Sequence, residues 1–163
     1  MRAPAPRTHA AKLNPGVRFG AMTPATGREF AATKAGLPEA LAFVEAFCSR
    51  RGVARGDLLR LTLVVEELFT NTVEHGRVGE ASATIRLGLD ADPAELKLLY
   101  EDAAAPFDAL AHLARQPPRV DAPVEACPVG GLGLQLVEQF AASLRYAREA
   151  GRNRLWIALR REA

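Results

Sequence analysis

Residues 57–76 read DLLRLTLVVEELFTNTVEHG, and this stretch decides the fold. Its apolar residues recur every three or four positions, which is typical of an amphipathic helix with one face on a core. Asp57 precedes the apolar run as a predicted N-cap, and Gly76 follows it as a predicted helix end. We therefore expect a helix from about residue 57 to His75. Its predicted core-facing residues are Leu58, Leu61, Val65, Leu68 and Phe69.

One face of this helix pairs an acid with an amide. Glu67 and Asn71 are four positions apart, so they lie roughly 40° apart on the same face, one turn removed. The same face holds Leu63 and Val64, which predicts a pocket wall. An amide oxygen can ligate Mg²⁺ and a carboxylate can accept a proton from a nucleophile, while His75 would add a polar contact to phosphate. An exposed pair with no function is the alternative.

Alternating apolar and polar residues predict four strands in two hairpins. The first hairpin spans about residues 83–100 and turns at Asp92-Pro93; the second has strands at about 143–149 and 153–160. Further helices are expected at Leu37–Arg51 and after the glycines of 130–133. The pattern predicts an α+β fold, a two-layer α/β sandwich with a mostly antiparallel sheet covered on one face by about three helices. The turn of the second hairpin is predicted at Ala150-Gly151.

Length and composition favour one globular domain. A chain of 163 residues, 48% hydrophobic and 25% charged, has room for a single core. The net charge is only +2, and the basic excess sits in residues 1–28. This proline-rich segment is expected to be a poorly ordered arm or to lie on the domain, which we place at residues 29–163.

Several kinds of partner are not expected. Ten aromatic residues and no basic stripe argue against nucleic acid, and no apolar run or secretory signal indicates a membrane. Cys48 and Cys127 match neither a disulfide framework nor a paired zinc motif. A cytoplasmic location is therefore predicted.

A proline-rich segment separates the two hairpins. Five of the eleven prolines fall between Pro106 and Pro128, so residues 103–129 are predicted to form a lid around a short helix near Asp108–Arg115. Asp102 stands where a strand enters this lid. There it could accept a hydrogen bond from the exocyclic amine of adenine and select adenine over guanine. An ordinary loop acid is the alternative.

Glycines open the third predicted helix. Their backbone N–H groups can approach a phosphate at the positive end of the helix dipole, although a flexible connector is the alternative. The segment is neither a Walker A loop nor a dinucleotide fingerprint. It consists of Gly130, Gly131, Leu132, Gly133 and Leu134.

In this order the segments resemble the GHKL superfamily of histidine-kinase-type ATPases. Its E-x-x-x-N box corresponds to Glu67 and Asn71, and its D-x-G-x-(G/P) box corresponds to Asp102 and Pro106. Its G-x-G-x box corresponds to residues 131–134. The sequences around these boxes resemble the anti-sigma-factor serine kinases most, over about residues 30–161.

The resemblance implies a role for each matching residue. Glu67 would be the general base, Asn71 the Mg²⁺ ligand and Asp102 the reader of adenine. The backbone of residues 130–134 would hold the phosphates of ATP.

Two further positions bear on the nucleotide. Asn153 stands where relatives place a polar residue near the adenine. Ala104 stands where the family usually has glycine, so its methyl group is expected to crowd the adenine or to stiffen the loop.

The resemblance also implies an activity and partners. The chain would be an ATP- and Mg²⁺-dependent serine kinase that phosphorylates a small anti-anti-sigma protein of STAS type, binds a sigma factor and forms a homodimer. The alternatives are a non-catalytic ATP-binding module that sequesters a partner, and a plain ATPase.

Overall fold

Six strands and three helices have defined bounds in a computed structural model, which describes residues 9–12, 24, 26–76, 83–111 and 132–162. A helical turn at residues 109–111 lies in the region where a short helix was predicted. None of the described helices is long and apolar enough to cross a bilayer. In chain order the elements are β1 (His9–Lys12), β2 (Thr26–Ala31), α1 (Gly36–Arg50), α2 (Arg55–His75), β3 (Thr84–Ala91), β4 (Glu95–Asp102), α3 (Leu132–Phe140), β5 (Ala141–Glu149) and β6 (Arg152–Arg160).

The strands form one sheet in the order β1-β5-β6-β4-β3-β2, and every neighbouring pair is antiparallel. The two predicted hairpins are therefore joined through β4 and β6. Their register places Asp102 opposite Asn153, at the end of β4 and near the start of β6. The predicted α+β sandwich is confirmed.

The helices bury one side of the sheet. Helix α2 packs against both α1 and α3, and its buried side chains join those of β3 and β4 in one core. Burying a large aliphatic or aromatic side chain stabilises the fold by about 1.5–3 kcal/mol, so this core is the main source of stability. From α2 the core takes Leu61, Val64, Val65, Leu68 and Phe69.

The face of α2 near residue 63 differs from the prediction. Val64 is buried in the core, whereas the side chain of Leu63 is 41% exposed. The residues of α2 that line a cavity are Leu68, Asn71, Thr72 and His75, so the pocket wall begins about one turn after Val64.

Both predicted turns are confirmed. The backbone N–H groups of Ala94 and Glu95 donate to the Asp92 carboxylate, which closes the β3–β4 turn. Ala150 and Gly151 have φ angles of 48° and 77°, the left-handed pair that a two-residue type I′ hairpin requires. The tight turn fixes the pairing of β5 with β6 at the end of the hairpin that holds Arg148 and Asn153.

The predicted N-cap role of Asp57 is wrong. Helix α2 begins at Arg55, and its N-cap, Ala54, makes no side-chain cap. Asp57 lies inside the first turn, is 1% exposed and forms an ion pair with Arg60. Its carboxylate also accepts from the backbone N–H of Glu162 at 3.2 Å. A tertiary contact with the chain end therefore uses the aspartate that local sequence assigned to capping.

Two edge strands were not predicted. β1 pairs with β5 at one edge, and β2 pairs with β3 at the other. β2 crosses the predicted boundary at residue 28 between the N-terminal arm and the domain. Neither segment shows the alternation of apolar and polar residues that identified the central strands, since HAAK and TGREFA each contain few large apolar residues.

We predict that Asp57→Ala lowers the free energy of unfolding by about 2–3 kcal/mol, because it removes the buried carboxylate that pairs with Arg60 and leaves the N–H of Glu162 without its acceptor. Urea unfolding followed by circular dichroism measures the loss. Asp90→Ala is the matched control, since that carboxylate bonds only the adjacent N–H of Ala91 among the hydrogen bonds described. Equal stability of wild type and Asp57→Ala would contradict the assigned role of the buried pair.

Candidate functional site

A cavity of about 450 Å³ lies between the C-terminal half of α2, the end of β4 and the β5–β6 hairpin. Its size falls in the range of small-molecule sites. Much of its wall is apolar, from residues such as Leu68, Leu134 and Leu155. Among the predicted site residues it is lined by Asn71, His75, Asp102, Ala104, Pro106, Leu134 and Asn153.

The Asp102 carboxylate is buried at one end of this cavity and is 7% exposed. Its Oδ1 accepts from the backbone N–H of Ala104 at 2.9 Å and from Asn153 Nδ2 at 2.8 Å. Its Oδ2 accepts from the Thr72 hydroxyl at 3.1 Å. Three separate segments of the chain therefore donate to one carboxylate and fix its orientation.

Two hydroxyl groups, those of Thr72 and Tyr100, extend the hydrogen bonding of Asp102 into the core. Tyr100 Oη lies 2.7 Å from Thr72 Oγ1 and 3.1 Å from the Leu68 carbonyl oxygen. Burial raises the pKa of Tyr100 well above its ordinary value, so the phenol stays protonated and acts as a donor. Each hydroxyl has a single proton: Thr72 donates its proton to Asp102, and Tyr100 shares its proton between the Leu68 carbonyl oxygen and Thr72 Oγ1.

Asn71 faces the cavity with an uncommitted side chain. No described residue donates to its carboxamide or accepts from it, although the residue is half-buried. His75, one turn further along α2, also lines the cavity, and its side chain is 63% exposed. Its Nε2 lies 4.0 Å from the Glu74 carboxylate. These two polar groups of α2 are thus available to a ligand.

Glu67 is not among the residues that line the cavity; its side chain lies against Gly133 at the start of α3. A Cβ atom at position 133 would collide with the Glu67 carboxylate, so this conformation of the Glu67 side chain depends on the glycine. Burial, and secondarily the charge of Glu66, raises the pKa of Glu67 above its ordinary value of 4.5. The α2 acid and the glycine segment therefore meet at Gly133.

Only part of the glycine segment can be placed. Gly130 and Gly131, the side chain of Leu132 and the predicted lid from residue 112 to 129 lie outside the described residues. Leu134 is buried and forms part of the cavity wall.

Ala104 is accommodated without backbone strain. Among described residues other than glycine, only Ala150 has a positive φ, so the position does not need the freedom of glycine. Its methyl group lies towards Gly76, where an added Cβ would come within 2.9 Å of it. Space for the methyl is thus provided by a glycine at the end of α2. Ala104 also lines the cavity, so its expected effect on a bound adenine stays a prediction.

Sequence reasoning missed four polar residues of the site, namely Thr72, Tyr100, Tyr146 and Arg148. Thr72 follows Asn71 directly and points to the buried side of the same helix. Tyr146 and Arg148 lie two and four positions after the core residue Leu144, on the same face of β5. This alternation was the signal in the sequence that could have identified them. Tyr146 and Arg148 both bond Asn153 within the same hairpin, but Arg148 also bonds the Ala104 carbonyl oxygen 44 positions away. The partners of Thr72, which are Tyr100 and Asp102, lie about 30 positions away, so the pattern alone could not identify these contacts.

We predict a pH-dependent effect of Glu67→Gln on the ligand-free protein. A carboxyl group with a raised pKa in the folded state reduces stability as pH rises through that pKa, because the folded state disfavours its charge. Glu67→Gln should therefore melt higher than wild type at about pH 7, and the difference should vanish at about pH 4. Glu45→Gln, on the exposed side of α1, is the control for loss of one glutamate. A lower melting temperature at neutral pH would contradict the desolvation of Glu67.

Comparison with known proteins gives the family. The histidine kinase-like ATPase domain matches residues 30–159 of the 163. Comparison with curated protein sequences found no match. The crystal structure of the RsbU and RsbW domains of Rv1364c from Mycobacterium tuberculosis is similar, with a TM-score of 0.56 and 17% identity over 86% of this chain. The chain spans 34% of that protein's length, and the likeness supports the fold. The chain belongs to the family of histidine kinase-like ATPase domains.

Proposed function

We propose that this chain is an ATP- and Mg²⁺-dependent protein serine kinase of the anti-sigma-factor type. The observation that supports it is the arrangement around one cavity. A fixed acceptor, Asp102, lies at one end, and Asn71 lies on the helix that also carries Glu67 against Gly133. The family match implies ATP as the ligand of this domain.

The acceptor capacity of Asp102 fits an adenine. An ionised carboxylate offers about four lone-pair positions, and the described bonds use three of them. One position on Oδ2 is left for the exocyclic amine of adenine. Guanine would present a carbonyl oxygen there and leave two acceptors facing each other, so ATP is favoured over GTP.

The donor set of α2 fits a magnesium phosphate. The amide oxygen of Asn71 is the type of ligand that Mg²⁺ accepts, and it has no competing partner among the described residues. His75 would contact a phosphate oxygen. Backbone N–H groups of residues 130–134, by resemblance, would hold the remaining phosphates. Bound Mg²⁺ supplies charge neutralisation to the phosphate chain.

Glu67 is proposed as the general base. Its raised pKa makes it a better proton acceptor than an exposed glutamate. In the proposed transfer it takes the proton of a serine hydroxyl, whose oxygen forms a bond to the γ-phosphorus. The bond from that phosphorus to the β–γ bridging oxygen breaks, and ADP leaves. Positioning and electrostatics contribute most of the catalysis.

The biological partners follow from the sequence resemblance. The proposed acceptor of phosphate is a small anti-anti-sigma protein of STAS type, and the proposed regulated partner is a sigma factor bound by a homodimer. We place the protein in the cytoplasm, with no nucleic-acid or membrane partner. A non-catalytic, sequestering module and a plain ATPase are the competing functions, and Ala104 in the usual glycine position is the observation that favours the former.

We predict that the wild-type protein transfers labelled phosphate from Mg-ATP to a serine of a STAS-domain protein encoded in the same genome. Glu67→Gln should reduce the transfer rate at least about 100-fold while ATP still binds, because it removes only the proton acceptor. Glu74→Gln, an exposed glutamate on the same helix, is the control. Binding without transfer would favour the non-catalytic module, and phosphate release without labelling of the partner would favour the ATPase.

We further predict that Asn71→Ala removes the Mg²⁺-dependent part of ATP binding. The ligand-free melting temperature should stay close to that of wild type, because the side chain bonds no described residue. Thermal shifts with ATP, measured with and without Mg²⁺, provide the test. Thr70→Ala, at the neighbouring half-buried position, should leave both shifts unchanged. A large drop in ligand-free stability would assign Asn71 a structural role instead.

A further inference from the structure

Three side chains of the β5–β6 hairpin form a clamp beside Asp102. Tyr146 and Arg148 lie on β5, and Asn153 lies on β6 directly opposite Arg148. The Tyr146 hydroxyl and Arg148 Nη1 both donate to Asn153 Oδ1, at 2.8 and 2.9 Å. Burial raises the pKa of Tyr146, which keeps its phenol protonated as a donor. We call these three residues the hairpin clamp.

Asn153 has no bonding capacity left for a ligand. Its Nδ2 donates to Asp102 Oδ1 at 2.8 Å and to the Ala105 carbonyl oxygen at 3.1 Å, which uses both amide protons. Its Oδ1 already accepts the two donors from β5 and, at 3.4 Å, the backbone N–H of Phe107. The orientation of the amide is forced, because an arginine can only donate and an ionised carboxylate can only accept. Although Asn153 lines the cavity, it is committed to protein groups.

Arg148 holds the loop that follows β4. Its Nη1 donates to the Ala104 carbonyl oxygen at 2.7 Å as well as to Asn153. The N–H of the same Ala104 donates to Asp102. One peptide segment is thus fixed from both sides, by the carboxylate within and by the guanidinium at the cavity edge. Charge-assisted bonds of this kind are the stronger ones in proteins.

The clamp decides which oxygen of Asp102 remains free. Ala104 and Asn153 saturate Oδ1, so only Oδ2 keeps a free position. Without the clamp the carboxyl group could rotate and the loop could move, and the free acceptor would lose its direction. We infer that Arg148 and Asn153 are positioning residues that set the preference for adenine, an inference that rests on the proposed nucleotide site.

The test measures the affinities of ATP, GTP and adenosine by calorimetry. Arg148→Met and Asn153→Asp should each weaken ATP about tenfold and reduce the preference for ATP over GTP by a similar factor. Adenosine should weaken by the same factor as ATP, because the clamp acts at the base. Arg148→Lys should stay within about threefold of wild type, since one nitrogen makes both bonds of Arg148 and an ammonium has enough protons to replace it.

Arg145→Met is the matched control. Arg145 lies on the same strand, on the opposite face of the sheet, where its guanidinium stacks 4.6 Å from the centre of the Trp156 ring. Its loss should leave nucleotide affinities unchanged. The ligand-free melting temperature of each variant separates a positioning role from loss of the fold, and the isosteric Asn153→Asp tests the clamp if Arg148→Met does not fold.

The outcomes distinguish this inference from the proposed function. Wild-type affinity and wild-type nucleotide preference in both clamp variants would overturn the inference and leave the proposed function intact. A loss for ATP with unchanged adenosine binding would also overturn it, because that pattern identifies Arg148 as a phosphate contact. Absence of ATP binding in the wild-type protein would overturn both.

Discussion

A buried carboxylate at the end of β4 is the constraint on which the candidate site depends. Removing a charged group from water is unfavourable unless donors replace the lost hydration. Asp102 obtains its donors from α2, from the loop after β4 and from β6. The helical layer and the sheet must therefore meet at this point in one relative position. The bonds that make the buried charge tolerable are also the bonds that shape the cavity wall.

The two ends of the cavity differ in how far their polar groups are committed. At the Asp102 end nearly every donor and acceptor has a protein partner, so a ligand meets a fixed pattern. On α2, Asn71 has no described partner, and Glu67 is partly desolvated against Gly133. Recognition of a base needs preorganised groups, whereas metal binding and proton transfer need groups that can change partners. In the proposed function, these two requirements fall on different groups of the site.

The central elements could be predicted from sequence because their patterns are strong and local. The period of α2 and the turn at Ala150-Gly151 each follow from neighbouring residues, and the structure has both. Asp57 was assigned wrongly because its partner Glu162 is 105 positions away. The family resemblance pointed to Asp102 and Asn153 as site residues, but the bond between them spans 51 positions and depends on strand register. The edge strands escaped prediction since their short sequences contain little apolar alternation.

The alanine at position 104 shows why a departure from a motif has to be judged in its tertiary context. Glycine serves a loop either through positive φ or through the space left by the missing Cβ. The backbone here does not use positive φ, which removes the first reason. The second reason, space, is satisfied by Gly76. Because Gly76 has no side chain, the Ala104 methyl group has room at the end of α2. The Ala104 carbonyl and N–H remain bonded to Arg148 and Asp102, so the loop keeps its polar contacts. The alanine is thus compatible with a formed cavity, and the small residue that the loop lacks is present on the helix facing it.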